Sequence, residues 1–225
     1  MIACTVFTQG CNMRCPYCQN GGLVLPSYFD EPIPEDEVLA KIKKRAGILE
    51  GVCVTGGEPT VQPDLAEFLK KIKDLGLKVK LDSNGRDPDL LDRLWKDHLI
   101  DMVAMDIKAS PSRYAYVAGL HGLSDPAVVI APYDASIRFL LSSGIDYEFR
   151  TTLVRGLHDY EQMEDICDWI AGAKAYYLQS YRESDLVISL LENRKDLCSS
   201  FSNEELNTFL SIARKKIPTA MLRGI

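Results

Sequence analysis

The 225-residue sequence has no apolar run approaching the ~20 residues that a membrane span needs. Its start, "MIACTVFTQG", lacks a basic region followed by an apolar segment and cleavage site, so no signal peptide is read and a cytoplasmic location is expected. A basic surplus is missing too. The formal charge of −6 argues against a general nucleic-acid binder, whose surface would be basic. The lysines of "KIKKR" (41–45) and "KKIK" (70–73) sit on amphipathic helix patterns and read as solvated faces. No internal repeat, low-complexity tract or linker appears, so one domain over 1–225 is expected, large enough to bury a substantial core. The seven cysteines are an odd number, which speaks against a disulfide framework in a cytoplasmic chain.

What is present is an alternation. Strand-like runs at 2–8, 51–55, 78–83, 101–107, 147–153 and 175–180 alternate with amphipathic helix patterns. Leu65, Phe68, Leu69, Ile72 and Leu75 share one helical face, with Asp64 and Glu67 placed to cap it. Ser202 and Glu205 open a later helix bearing Leu206, Phe209, Leu210 and Ala213, and Met163, Ile166, Cys167 and Ile170 form a stripe between. This order predicts right-handed βαβ units and a parallel sheet, either open and doubly wound or curved into a partial barrel. In both, ligands gather at the C-terminal ends of the strands. The unusual residues do follow the strands: the cysteine loop after the first, "TGGEPT" (55–60) after the second, then "DSNG" (82–85), "DIK" (106–108), Arg150 with Thr151, and "QSYR" (179–182). Residues 109–133 read as a long irregular loop, of a length that points to function.

"TQGCNMRCPYCQN" (8–20) packs Cys11, Cys15 and Cys18 among glycine and proline, so it is a loop. Clustered thiolates bind soft metals. A structural zinc site usually takes four protein ligands, typically from two CxxC-like pairs, and no fourth cysteine follows at matching distance. Cys53 lies in an apolar strand and, with Cys4 and Cys167, reads as a small buried hydrophobe. Cys198 has no assignable role. Three thiols on a [4Fe–4S] cluster, which normally wants four, would leave one iron open to a substrate or cofactor.

Cys11-x3-Cys15-x2-Cys18, with Tyr17 before the last cysteine and Gly56-Gly57-Glu58-Pro59 after the second strand, resembles the radical S-adenosylmethionine (SAM) enzymes over nearly the whole chain. The resemblance implies a partial (β/α)6 TIM-like barrel of the radical SAM type. It implies a [4Fe–4S] cluster on the three cysteines, with S-adenosyl-L-methionine chelating the fourth iron. One-electron cleavage of the sulfonium would then give a 5′-deoxyadenosyl radical. Gly56 and Gly57, without Cβ atoms, would let the backbone approach a ligand; taken alone, such a pair is a tight turn. Glu58 and nearby carbonyls would receive the methionine ammonium group, and Tyr17 would lie beside the adenine.

Within that superfamily, "KLDSNG" and "AMDIKAS" resemble segments of the glycyl-radical-enzyme activating enzymes, matched at Asp82, Ser83, Asn84, Asp106 and Lys108. The resemblance implies Asp82, Ser83 and Asp106 as ligands of a monovalent cation, with Lys108 touching cofactor or substrate and Arg150 the cofactor's carboxylate. Capping or a surface pair is the plainer account of the two aspartates. "RTTLVRGLHD" and "YYLQSYR" resemble the activating proteins of anaerobic ribonucleotide reductase. The expected activity is therefore that of an oxidoreductase making a glycyl radical on a partner, the anaerobic (class III) ribonucleotide reductase. A flavodoxin- or ferredoxin-like protein would supply electrons, with no nucleic-acid or membrane partner. The alternatives are a pyruvate formate-lyase type of activase, a radical SAM enzyme acting on a small molecule, and a zinc-holding binding module. His121 and His158 read as structural or exposed. Family members commonly carry a short segment before the first strand, which here starts at residue 2.

Overall fold

The computed structural model describes residues 1–225 apart from 121, 123, 124, 193, 195, 196 and 225. His121 lies outside the described residues. Among the described residues, seven strands, β1 (Ala3–Thr8), β2 (Gly51–Gly56), β3 (Lys78–Ser83), β4 (Met102–Asp106), β5 (Asp146–Leu153), β6 (Tyr176–Ser180) and β7 (Met221–Arg223), pair parallel in chain order. Between successive strands run α1 (Glu35–Arg45), α2 (Leu65–Asp74), α3 (Pro88–Lys96), α4 (Pro126–Ser142), α5 (Tyr160–Trp169) and α6 (Asn203–Lys216). A doubly wound sheet reverses its strand order partway. This one does not, so the helices share one side and the sheet curls into the expected partial barrel around a lumen.

Period-two alternation assigns each strand residue to a side. On β5, Tyr147, Phe149, Thr151 and Leu153 are buried toward the helices, whereas the charged Glu148 and Arg150 point the other way. Val52, Val54, Val79, Leu81, Val103, Met105 and Leu178 join the helix-facing set. The helices answer with Leu69 and Ile72, Leu91 and Leu94, Ile137 and Leu140, Met163 and Ile166, and Phe209 and Ala213, all buried. The charged strand residues Lys80, Asp82, Asp106, Glu148 and Arg150 fall on the lumen side.

Four expectations change. A seventh strand, β7, was unread, because three residues are too few for a period to register. The loop expected over 109–133 is helical for much of its length, with a short turn at Tyr114–Val117 and α4 starting at Pro126. Pro126 takes the first helical turn, where its missing N–H costs nothing, and Asp125 caps the Ala127 amide at 2.9 Å. Pro132 inside α4 is tolerated because Val129, Tyr133, Ile137 and Leu140 bury their faces and Tyr133 stacks on Tyr114 at 4.3 Å. Asp64 makes no side-chain cap on α2, while the Ser202–Glu205 capping box on α6 has both of its bonds. Finally, Cys53 is in register with Thr5 and faces the lumen rather than the core, its Sγ 3.6 Å from Asp82 Oδ1. Cys167 and Cys198 are buried and Cys4 is half-buried.

Candidate active site

The cysteine loop leaves β1 through Gly10, whose φ of 90° lies in the left-handed region. It is then gripped from several sides. Gly10 donates to the Leu23 carbonyl at 2.7 Å, Glu58 donates to the Gly10 carbonyl at 2.8 Å, and Arg14 donates its amide to the Ala118 carbonyl at 3.0 Å. From the far end of the chain, Ser189 donates to the Pro16 carbonyl at 2.8 Å and Ile188 to the Cys18 carbonyl at 3.1 Å. The Arg14 side chain folds beneath, its Nη1 2.7 Å from the Cys11 and Met13 carbonyls. A loop held this way has little freedom left to lose when it binds a ligand.

Gly56 and Gly57 serve that grip. A Cβ on Gly57 would stand 2.0 Å from the Gly10 carbonyl oxygen, and one on Gly56 would meet the Thr8 backbone at 2.3 Å. The close approach expected toward a ligand is thus also an approach of one backbone to another. Gly119 does the same behind the loop, where a Cβ would meet the Arg14 carbonyl at 2.1 Å.

A cavity of about 270 Å³ opens at the C-terminal ends of the strands, and of the cluster-, cofactor- and cation-binding residues that the resemblance implied, all line it except Pro59; Thr151, expected on the same rim, points to the helices instead. Pro59 is buried at the start of the adjoining turn Pro59–Val61. Burial pushes all three thiols up, Cys15 to about 12, and the Lys108 ammonium pulls each back. The Met13 amide donates to Cys11 Sγ at 3.4 Å. Three soft thiols beside a cation and an amide donor suit an iron–sulfur cluster, which takes each thiolate on a different iron.

Glu58 is almost wholly buried and already bonded. Its Oε1 accepts from Ser83 Oγ at 2.9 Å, Thr60 Oγ1 at 2.6 Å and the Thr60 amide at 3.2 Å, and its Oε2 accepts the Asn84 amide at 2.6 Å. Burial pushes this carboxyl up against those donors. Asn84 in turn donates to Asn12 Oδ1 at 2.8 Å, tying the end of β3 to the cysteine loop.

The cation site expected at Asp82, Ser83 and Asp106 is not a ring of free oxygens. Arg150 bridges the two aspartates, with Nε 2.8 Å from Asp106 and Nη1 2.9 Å from Asp82. Lys108 takes the other Asp106 oxygen at 2.9 Å, Lys80 the other Asp82 oxygen at 3.0 Å, and Ser83 turns to Glu58. Protein cations neutralise these carboxylates. Burial pushes Asp106 up, but the Arg150 and Lys108 charges outweigh it and hold this carboxyl at about 2.

Tyr17 is buried at the cavity wall, edge-on to His158 with ring centroids 6.4 Å apart. His158, read from the sequence as structural or exposed, is buried and structural. It accepts the Val154 amide at Nδ1 (3.1 Å), so the bond of Nε2 to the Lys108 carbonyl (2.9 Å) is one it donates, as a neutral ring. Burial holds it below the usual imidazole range. Lys80, Glu148 and Arg223 were missed; the signal for the first two was the alternation of polar residues along "KVKLDS" and "DYEFRTTL", whereas Arg223, on the three-residue β7, had none.

The sequence matches the Radical SAM superfamily over residues 5–170. It is 30% identical over 221 residues to a Methanocaldococcus jannaschii protein that bears the name glycyl-radical enzyme activating enzyme, covering 98% of this chain and 88% of that one. It is 35% identical over 114 residues to the pyruvate formate-lyase-activating enzyme of Listeria monocytogenes, 46% of this chain and 45% of that protein. In fold it is similar to Streptococcus suis SuiB bound to S-adenosylmethionine, with a TM-score of 0.72 at 14% identity; the match covers 99% of this chain and half of SuiB. No described helix is long and apolar enough to cross a membrane. With the matched segment running from the first strand past the cysteine loop, the glycine pair and Arg150, this chain belongs to the radical SAM superfamily of enzymes.

Proposed function

We propose that this enzyme is a glycyl-radical-enzyme activating enzyme whose partner is an anaerobic ribonucleotide reductase. The observation that carries the activating-enzyme reading is the match, along almost the whole chain, to a relative bearing that activity in its name; the reductase as partner rests on the resemblance of "RTTLVRGLHD" and "YYLQSYR" alone. The cavity supports it, since the residues matched to the activating enzymes line one wall together with the three thiols.

Cys11, Cys15 and Cys18 would hold a [4Fe–4S] cluster, Tyr17 would offer an apolar face to the adenine, and the carbonyls at Gly56 and Gly57 would receive the ammonium group. Glu58 would act there chiefly as the anchor behind those carbonyls. Arg150 and Lys108 would meet the cofactor's carboxylate while still shared with Asp82 and Asp106. A monovalent cation would enter only by displacing Arg150 or Lys80 from Asp82. Cluster and S-adenosyl-L-methionine, when bound, supply the carbon radical that removes a hydrogen atom. The segment around Ile188–Leu191, packed on the cysteine loop, would help to exclude water. The substrate glycine would arrive on an extended loop through the gap between β1 and β7, held by main-chain contacts. A flavodoxin- or ferredoxin-like protein would deliver the electron.

The test is electron paramagnetic resonance after mixing reconstituted protein, reductant, S-adenosyl-L-methionine and an anaerobic reductase. A glycyl doublet is expected. Cofactor cleavage without that doublet would remove the activase reading and favour a small-molecule substrate.

A further inference from the structure

One chain of alternating charge crosses the lumen wall. From Lys108 it runs to Asp106 (2.9 Å), Arg150 (2.8 Å), Asp82 (2.9 Å), Lys80 (3.0 Å), Glu148 (3.3 Å) and Arg223 (3.1 Å). The register explains its continuity. Asp82, Ala104 and Glu148 stand abreast on β3, β4 and β5, and the small Ala104 lets longer side chains meet across it. The upper members line the cavity already described, whereas Lys80, Glu148 and Arg223 lie outside it.

This lower part has donors to spare and few acceptors. The chain has four cations and three carboxylates, with a cation at each end. Glu148 takes Arg223 Nη1 and Nη2, both at 3.1 Å, and Lys80 as well, so its oxygens are engaged. Arg223 commits two of its five N–H donors to Glu148, lies 3.6 Å over the Tyr177 ring, and keeps 41% of its side chain exposed. It stands on edge strand β7, beside the gap through which the lumen opens. A planar, partly exposed guanidinium backed by an aromatic ring and a surplus positive charge is suited to a carboxylate.

We propose that Arg223, supported by Lys80, binds a carboxylate of the substrate and so determines which substrates enter the lumen. The proposal rests on the radical-enzyme reading of the cavity above. The carboxylate comes either from an acidic side chain beside the target glycine or from a small organic acid.

Reconstituted protein with S-adenosyl-L-methionine is titrated with a rhodamine-labelled, capped pentapeptide carrying glutamate on both sides of a glycine. Its glutamine counterpart and glutarate are the comparison probes. The glutamate peptide should bind about tenfold more tightly than the glutamine one. Arg223→Gln should abolish that preference, and Glu148→Gln, which releases Arg223 from its partner, should widen it. An Arg223–Glu148 pair that merely held β7 in place would weaken binding in both variants. That result, equal binding of the two peptides with no binding of glutarate, or no Arg223-dependent binding of any probe, overturns the proposal. Melting curves identify a variant that fails to fold; Arg223→Lys, keeping charge without the fork, then carries the test and should retain part of the preference. If glutarate alone binds in an Arg223-dependent way, the carboxylate site stands and the activase reading falls. If a glycyl doublet forms on the reductase while no probe shows an Arg223-dependent preference, the activase reading stands and the carboxylate site falls.

Discussion

Glu58 accepts the backbone amide of Asn84 at 2.6 Å, and this bond joins the turn after β2 to the end of β3 beneath the cysteine loop. Glu58→Ala would leave that amide and the Ser83 O–H buried with nothing to donate to, since both now donate to the carboxylate. A stability loss of about 2–4 kcal/mol is expected from two such orphaned donors, read from denaturant unfolding. Iron uptake should fall with it, because Asn84 also holds Asn12. Glu58→Gln, which keeps the shape, should lose less on both counts.

Gly57→Ala tests the contact between the glycine pair and the cysteine loop. The added methyl would lie 2.0 Å from the Gly10 carbonyl, and both partners are backbone, so neither side chain can yield. The expected cost is about 1–3 kcal/mol in thermal unfolding, with reconstituted iron well below that of the unaltered chain. Normal stability and iron content in the variant would show that the loop has another support.

Acid should unlatch the lumen wall. Asp106 sits at about 2 in the fold against an ordinary 3.8. Its depressed value means that its stabilising contribution is complete above 3.8 and is lost as pH falls through about 2. Glu148 is likewise held low: burial raises it, but Arg223 and Lys80 more than compensate. Melting temperature should therefore drop across this acid range, and Asp106→Asn should flatten part of the drop. A slope unchanged by that substitution would mean that the Arg150 bridge contributes nothing to stability.

His158 gives the opposite kind of group a similar sign. Its folded value lies below the ordinary 6.5, because burial disfavours the charged ring. Just below 6.5 the unfolded chain binds more protons than the folded one, so stability falls as pH decreases through that region. His158→Gln should remove this component of the slope in melts between neutral pH and pH 5. It should also loosen Lys108, whose carbonyl the ring holds at 2.9 Å.

The strands were legible because each carries either an apolar run or a clear alternation, and six of them ended within a residue or two of expectation. β7 was not, since "MLR" has no period and depends on its pairing with β6. Residues 109–133 read as an irregular loop, yet Pro126 occupies a helix start and Pro132 is held inside the helix by tertiary burial. The site residues were legible by type and by their place after strands. Their partners were not. That Arg150 would bridge two aspartates, or that Glu58 would be consumed by Ser83, Thr60 and Asn84, depends on which strands become neighbours and how far side chains reach. Cys53 was misread for the same reason: its strand is apolar, but the face it turns to the lumen is not.

The most direct measurement is electron–nuclear double resonance on anaerobically reconstituted, reduced protein given S-adenosyl-L-methionine labelled with nitrogen-15 at the amino group. A nitrogen coupling to a cluster held by Cys11, Cys15 and Cys18 is the expected result. A cluster with no such coupling, or a preparation holding zinc in place of iron, would contradict the assignment of an open iron to this loop.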